Sequence, residues 1–134
     1  MAKKPKVNMH LDHVMLRVRG ATDETLHALA LQVEGLSKMH IVLNDQIDTG
    51  FMLNSVYTES KTGSTYGETW PGGEDKKAPR LRLPQRFSVA AVHVAAVYAI
   101  YQEMMNSFLR VAGDEVAGMA GGIASSVYKR ALHD

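Results

Sequence analysis

The residues Asp48, Thr49 and Gly50 carry the clearest potential for chemistry in this sequence. An Asp-Thr-Gly loop is the catalytic signature of aspartic proteases, in which two carboxylates, one from each half of the active site, share a proton. The same three residues at a corner between a helix and a strand can serve as turn chemistry, because Asp and Thr side chains cap backbone donors and Gly adopts left-handed dihedrals. The flanking elements decide between these interpretations.

The segment before this corner has the pattern of a long amphipathic helix. Thr22 is a suitable N-cap, and Asp23 and Glu24 fall in the first turn, where the helix dipole favours acidic side chains. Gly35 lies within this helix, and we expect close packing against another element to explain it. His40 is expected to be a histidine at the edge of the core rather than a metal ligand. The apolar stripe consists of Leu26, Leu29, Val33, Leu36, His40, Leu43 and Ile47.

The segment after the corner predicts a strand over residues 53–60. The bulky run from Phe51 to Leu53 stands where the protease motif continues with a small residue, and the protease motif lies between strands rather than after a helix. The second protease signature, two hydrophobic residues followed by Gly-Arg-Asp or Gly-Arg-Asn, is missing. We therefore expect no catalytic role here, and interpret the segment as a structural junction built from Asp48, Thr49, Gly50, Asn54 and Ser55.

Composition limits the classes of protein that this chain can be. A length of 134 residues with 46% hydrophobic content predicts a single domain, residues 22–134, preceded by an N-terminal arm, residues 1–21, with a short strand around residues 14–18. The absence of cysteine excludes disulfides and thiolate metal sites. The balance of 15 basic against 14 acidic residues disfavours a protein held mainly by phosphate contacts. No apolar run approaches the length of a membrane span, so we expect no membrane partner.

Other patterns with chemical meaning are weaker. Gly67 and Gly72 have the spacing of a phosphate-binding loop, but Gly73 stands where the lysine is required. His10 and His13 form an HxxH pair without convincing further ligands. We expect no catalytic residue, no cofactor and no metal, and thus a protein that is not an enzyme.

Residues 61–80 form a long segment without periodicity, rich in glycine and proline, which predicts a loop between strands. It contains Tyr66 and Trp70, and an aromatic residue on an extended loop either anchors an interface or folds back on its own domain. A basic run flanks the loop, and it is either a solvated rim or a surface for nucleic acid or an acidic partner. This run consists of Lys76, Lys77, Arg80, Arg82 and Arg86.

The C-terminal part predicts one further strand and a last helix. Residues 87–98 are apolar on both faces, which indicates a buried strand or a strand bent into a helix around Ala95. The last helix is expected to begin near Ser107 or Asp114 and to end at Leu132. Its small-residue surface, centred on Gly118 and Gly122, predicts close packing with another backbone. Its apolar stripe consists of Val116, Met119, Ala120, Ile123, Val127 and Leu132.

The order of these motifs resembles the neck and tail-completion proteins of long-tailed bacteriophages, the putative tail-component family. The similarity covers about residues 22–132. It departs from the family at residues 104–106, where Met-Met-Asn replaces Phe-Gly-Thr, and at Val111, where a proline is common. The matching residues are Ile47, Asp48, Thr49, Gly50, Leu53, Asn54, Ser55 and Val56, then Tyr98, Ala99, Tyr101 and Glu103, then Phe108, Leu109, Arg110 and Ala112.

The resemblance implies an α+β domain, in which a small antiparallel sheet is packed by a long N-terminal helix and a C-terminal helix, with a long loop between the strands. It implies a structural virion protein, assembled in the host cytoplasm, that forms a ring, typically of six subunits, and joins head to tail or completes the tail tube. Its partners would be further copies of itself, adjacent head-connector and tail-tube proteins and, transiently, passing DNA. The candidate interface consists of Tyr66, Trp70, Lys76, Lys77, Arg80, Arg82, Tyr98, Tyr101, Glu103, Gly118 and Gly122.

A second hypothesis comes from a different class. The basic N-terminal arm and the cluster from Lys76 to Arg86 would equip a nucleic-acid-binding or scaffold-binding assembly module.

Overall fold

The computed structural model describes residues 4–46, 50–67 and 77–133, with side chains from His13 onward. Within these residues an antiparallel pair of strands packs against a long N-terminal helix and a C-terminal helix, so the predicted α+β class is confirmed. The elements in chain order are α1 (Lys4–Leu43), α2 (Phe51–Asn54), β1 (Val56–Ser60), β2 (Ala90–Val94), α3 (Ala99–Met105) and α4 (Leu109–His133).

Helix α1 begins far earlier than the sequence pattern predicts. The strand expected around residues 14–18 is wrong, because these residues continue the helix, and Thr22 lies inside the helix rather than at its start. The Thr22 hydroxyl donates to the Val18 carbonyl at 2.9 Å, which is a side-chain bond of a mid-helix residue and not a cap. Val14, Leu16 and Val18 alternate as in a strand, but Met15 between them is apolar too. The run therefore suits either element, and in the structure it continues α1.

The end of α1 is a Schellman motif, which reverses the chain after the last helical turn. The Gln46 amide donates to the Ile41 carbonyl at 3.0 Å, and the Asp45 amide donates to the Val42 carbonyl at 3.1 Å. Asp45 takes the left-handed conformation that this motif requires, with φ of 57°. Glycine is the usual residue at such a position, so Asp45 stands where the chain carries local strain.

A single helical turn, α2, lies between the junction and the sheet. It occupies the start of the region expected to be strand, so β1 begins three residues later than the predicted residue 53. Gly50 precedes α2 with φ of 83°, in the left-handed region. The Ser55 hydroxyl donates to the Met52 carbonyl at 3.2 Å, and the Ser55 carbonyl accepts the Ala95 amide at 3.0 Å. Ser55 therefore attaches α2 to the end of β2.

Strand β1 is covered on both faces. It pairs with β2 in the register Val56 to Val94 and Ser60 to Ala90. Thr58 faces α1, where its hydroxyl donates to the Ala30 carbonyl at 3.4 Å. Tyr57 points to the opposite face, where its hydroxyl accepts the Leu81 amide at 3.0 Å. The alternation of side chains along a strand thus places the helix on one side and the loop segment on the other.

The hydrophobic core lies where α1, α2, the sheet and the start of α4 meet. Its largest fully buried side chains are Tyr57, Phe51, Phe108 and Ile41. The predicted stripe on α1 is close to the buried face without coinciding with it, because Leu26, Leu29, Val33, Leu36 and His40 are half-buried and Leu43 is exposed. The buried residues of α1 are Ala21, Thr25, Ala30, Ser37 and Ile41. Ile47 lies outside the described residues.

Helices α1 and α4 run antiparallel and differ in length. His40 Nε2 lies 2.7 Å from Glu115 Oε1, so the start of α4 meets the later part of α1. At the other end Thr22 contacts Tyr128 and Glu24 contacts Arg130. Helix α4 ends soon after, at His133, whereas α1 continues to Lys4. We call residues 13–20 the α1 overhang, and all of them are exposed.

The chain between β2 and α4 follows the bent alternative of the sequence analysis. The strand ends at Val94, a turn follows, and α3 begins at Ala99. Helix α4 starts at Leu109, close to the earlier of its two predicted starts. Two members of its predicted stripe, Val116 and Val127, are buried, whereas Met119 and Leu132 are exposed.

Candidate assembly interface

The described part of the predicted junction is held by contacts within the chain. The Asn54 amide donates to the Gly50 carbonyl at 3.0 Å, which closes the turn of α2. Ser55 is fully buried, and its hydroxyl accepts the Ala96 amide at 3.3 Å. These residues bring no acidic or nucleophilic group to the surface. Asp48 and Thr49 lie outside the described residues, so their predicted capping role stays a prediction.

The aromatic and basic residues beside the long loop collect on one face of β1. The ring of Tyr66 meets the ring of Tyr57 edge-on, with centroids 5.0 Å apart. The guanidinium of Arg80 lies 4.5 Å from the Tyr66 centroid, and Arg80 Nε donates to Glu59 Oε1 at 2.8 Å. Lys77 Nζ lies 6.0 Å from the same ring. This cation and aromatic cluster holds both ends of the loop to the sheet.

Glu59 is the acidic centre of that cluster. It is nearly buried on β1, where Oε1 also accepts the Ser64 hydroxyl at 2.6 Å. The bond to this carboxylate raises the pKa of Arg80 above its ordinary value. Tyr66, Lys77 and Arg80 therefore make contacts within the chain at this face. The other two members of the predicted loop interface, Trp70 and Lys76, lie outside the described residues.

Tyr57 and His93 form a polar pair on the same face of the sheet. The Tyr57 hydroxyl lies 2.9 Å from His93 Nδ1, and it accepts the Leu81 amide as well. Burial raises the pKa of Tyr57 and lowers the pKa of His93. Both shifts favour the neutral forms at pH 7, and the two groups share one hydrogen bond.

Glu103 is the most heavily hydrogen-bonded carboxylate among the described residues. Its two oxygens accept the amides of Phe108, Leu109 and Arg110 at 2.9 to 3.0 Å and the Ser107 hydroxyl at 2.7 Å. Burial alone would raise the pKa of Glu103, but these bonds to the N-terminus of α4 outweigh it and lower the pKa. Glu103 is a helix cap supplied from α3.

Helix α3 presents an apolar face to solvent. Tyr98 precedes it and packs against the core, whereas Tyr101 is 67% exposed and Met104 is 78% exposed. A groove of about 380 Å³ runs beside this face, lined by residues that include His93, Val97 and Phe108. The family motif in the sequence indicates the two tyrosines but not the rest of this face. The rest of the face could have been found because Met104 and Met105 follow Tyr101 at a spacing of three and four residues, which places them on one side of a helix. The α3 face consists of Val97, Ile100, Tyr101, Met104 and Met105.

The small-residue surface of α4 is open to solvent. Gly118 and Gly122 are exposed, and a methyl group added at either would meet no atom within 4 Å. Close packing of this surface within the chain is therefore excluded among the described residues. The same holds for Gly35 on α1, where the expected close packing is wrong.

Several basic side chains lie near the turn that follows β1. Arg19, Lys61 and Arg86 line one shallow depression, and Lys61 also lines a second one together with Arg82. Lys61 Nζ donates to the Pro84 carbonyl. Among the described residues, the acidic side chain lining the first depression is Asp23, and Arg82 and Arg86 form no ion pair. This basic surface is a candidate for contact with phosphates.

A histidine and a serine are in contact at the end of β1, a combination that in some enzymes forms an activated nucleophile. His27 Nδ1 lies 2.6 Å from Ser60 Oγ. The hydroxyl donates to the Gly63 carbonyl at 3.1 Å and accepts the Thr62 and Gly63 amides, so it closes a turn. A hydroxyl held in this way is not poised to attack a substrate. In the described part of the chain, no three His, Asp or Glu side chains come together as a metal site.

No helix in the described ranges combines the length and apolarity needed to cross a lipid bilayer. Comparison of the chain with protein-family models, with curated proteins and with solved structures found no match of any of the three kinds.

Proposed function

We propose that this chain is a structural subunit of a bacteriophage neck, which assembles as a ring and joins head to tail or completes the tail tube. The observation that carries the proposal is the α3 face. The face overlaps the Tyr-Ala-x-Tyr-x-Glu motif that resembles the tail-component family, which contributes Ile100 and Tyr101, and it exposes five large apolar side chains in all. A contiguous apolar patch of this kind is typical of a protein interface.

The motif residues divide into two groups that suit this role. Ala99 is buried and Glu103 caps α4, so both fix the position of α3. Tyr101 points outward from the same helix. A rigid helix that presents exposed apolar side chains is what an assembly subunit needs, because a preorganised surface loses little entropy on binding. The α+β architecture agrees with the fold that the resemblance implies.

The experiment that tests this function is reconstitution of virions. Particles assembled without this protein should accumulate as separate full heads and tails, and adding the purified protein should join them. The matched pair of variants is Met104→Asp, on the α3 face, and Leu31→Asp, an exposed apolar position on another surface. We expect the first to fail in joining and the second to succeed. Infectious particles formed in the complete absence of the protein would contradict the proposal.

The long loop has a testable part in this function. Because Ser64, Tyr66, Lys77 and Arg80 contact one another or β1, only residues 68–76 should be exchanged, for a Gly/Ser segment of equal length. The protein should stay folded and lose head-to-tail joining, because the proposal assigns Trp70 and Lys76 to contacts with a neighbouring ring or subunit. Normal head-to-tail joining by this variant would show that residues 68–76 are not part of the interface.

The basic surface supports a second candidate function, a module that binds nucleic acid. Arg19, Lys61, Arg82 and Arg86 lie around neighbouring depressions and share few acidic partners. Binding through phosphates weakens steeply with salt. Binding of the isolated protein to DNA that disappears between low and moderate salt, and that Arg82→Ala and Arg86→Ala together abolish, would favour this function over a passive conduit.

A further inference from the structure

The α1 overhang is an uncovered continuation of a helical face that is covered elsewhere. Val18 lies one turn before Thr22, which contacts Tyr128 of α4, and two turns before Thr25, which is buried. Val14 lies one turn further out on the same face. From Thr22 to Val18 α1 rises about 6 Å, and from Tyr128 to His133 α4 rises about 7.5 Å, so Val18 lies level with the last turn of α4 and Val14 lies beyond it. Both side chains are exposed. The geometry of this face suits a second helix.

The α3 face is the second uncovered apolar helix surface, and it lies at the opposite end of the molecule. The Gln46 amide group donates to the Gln102 carbonyl at 2.9 Å, and Asn44 donates to the Ser107 carbonyl at 3.2 Å. These bonds fix α3 beside the C-terminal end of α1. From Val18 to Leu43 the helix rises about 38 Å. The α1 overhang and the α3 face therefore cannot cover each other within one chain.

The two surfaces also differ in charge. Residues 13–20 include Arg17 and Arg19 and no acidic residue, whereas residues 97–115 include Glu103, which caps α4, Asp114 and Glu115 against the single basic residue Arg110. Asp45, which is exposed, adds negative charge next to Asn44. Opposite charge around two apolar faces favours contact between them over contact of either face with itself.

We propose that the α1 overhang of one copy packs against the α3 face of a second copy, so that copies of this chain associate head to tail. Such a contact is heterologous, because each copy contributes a different surface, and repetition closes a ring when the rotation between copies allows it. Ring closure rests on the function proposed above. The pairwise contact does not depend on it.

The test is disulfide cross-linking, for which a chain without cysteine is a clean background. Val18→Cys and Met104→Cys are prepared as two separate full-length proteins, mixed and mildly oxidised. The control pair replaces Val18→Cys by Leu31→Cys, because both positions lie on α1 and both side chains are 39% exposed. Leu31 lies about 140° around the helix from Val18 and away from the covered face. We expect roughly tenfold or more cross-linked dimer from the test pair than from the control pair, since contact raises the effective concentration of the thiols.

Combining Val18→Cys and Met104→Cys in one chain should give a ladder of higher oligomers. A dimer formed equally well by Val18→Cys alone would show pairing of two overhangs and would overturn the proposal. A dimer formed by Met104→Cys alone, or no excess over the control pair, would overturn it as well. As an independent check, Val18→Asp and Met104→Lys should each shift the protein towards monomer in light scattering, and the double variant should recover association.

The failure of this contact and the failure of the proposed function give different results. Rings that form without the cross-link would leave the function standing and remove the contact. A cross-linked ladder from a protein that never joins heads to tails would leave the contact standing and remove the function.

Discussion

At the scale of single residues, two carboxylates make hydrogen bonds that hold neighbouring elements of the fold together. Glu103 binds the amide of Phe108 and the first two amides of α4, and Glu59 on β1 binds Arg80 and the Ser64 hydroxyl. A sequence motif indicates Glu103, but its contacts could not be predicted from sequence, since they depend on how α3 and α4 meet in space.

Replacing Glu103 by Gln should destabilise the protein by about 1 to 2 kcal/mol, because a neutral amide is a weaker cap than a carboxylate. The pKa of Glu103 is lowered in the folded protein, so its stabilisation is complete above the ordinary value of 4.5 and is lost as the pH falls below it. The difference in unfolding free energy between the two proteins should shrink on acidification. Urea denaturation between neutral and acidic pH measures this.

Asp114→Asn is the matched control for Glu103→Gln, because Asp114 is an exposed carboxylate in α4, the helix that Glu103 caps. It should change stability by less than about 0.5 kcal/mol. Equal effects of the two substitutions at neutral pH would show that Glu103 does not act as a cap.

Asp45 and Gly50 both have left-handed backbone conformations, and substitutions at these two positions should change the stability in opposite directions. Gly50→Ala should destabilise the protein by about 1 to 2 kcal/mol, because a Cβ is strained at φ of 83°. Asp45→Gly should stabilise it by about 0.5 to 1 kcal/mol, since glycine adopts φ of 57° without strain. Thermal unfolding measures both. Shifts of the same sign would contradict the backbone geometry at the ends of this segment.

At the scale of elements, the sequence predicts elements that have an unambiguous local pattern and fails where the pattern suits two structures or is too short to show a period. Helix α4, strand β1 and the turn from β2 into α3 follow from periodicity. The strand predicted around residues 14–18 fails because consecutive apolar residues satisfy both periods. Helix α2 was missed because a single turn has no periodicity to detect. The α3 face could have been found from the spacing of its apolar residues, whereas its exposure could not.

The exposed glycines of the long helices provide a test at this scale. Gly35→Ala and Gly118→Ala should each stabilise the folded chain by up to about 1 kcal/mol, because alanine favours helix and meets no atom within 4 Å. Substitution by the bulkier leucine should affect assembly differently at the two positions. Gly118→Leu should weaken assembly if the small-residue surface of α4 approaches a neighbour, and Gly35→Leu should not. Analytical ultracentrifugation of both variants distinguishes them, and equal assembly would remove Gly118 and Gly122 from the interface.

At the scale of the whole molecule, the fold leaves apolar helix surfaces at both ends of a long helix and a basic surface between the helix and the loop. A protein that acted alone would gain by covering such surfaces, because exposed apolar patches of this kind invite association. Their distribution at opposite ends suits a subunit that repeats. The chain is close to neutral overall, with a net charge of +1, which agrees with the proposed role of a conduit that would let DNA pass without retaining it.

The central claim, that this chain works as a ring-forming structural subunit, is tested most directly by electron microscopy of the purified full-length protein at moderate and high salt. The account predicts closed rings of uniform symmetry, most simply sixfold, with a central opening, that persist as the salt concentration rises. A monomer at every salt concentration and at high protein concentration would contradict it.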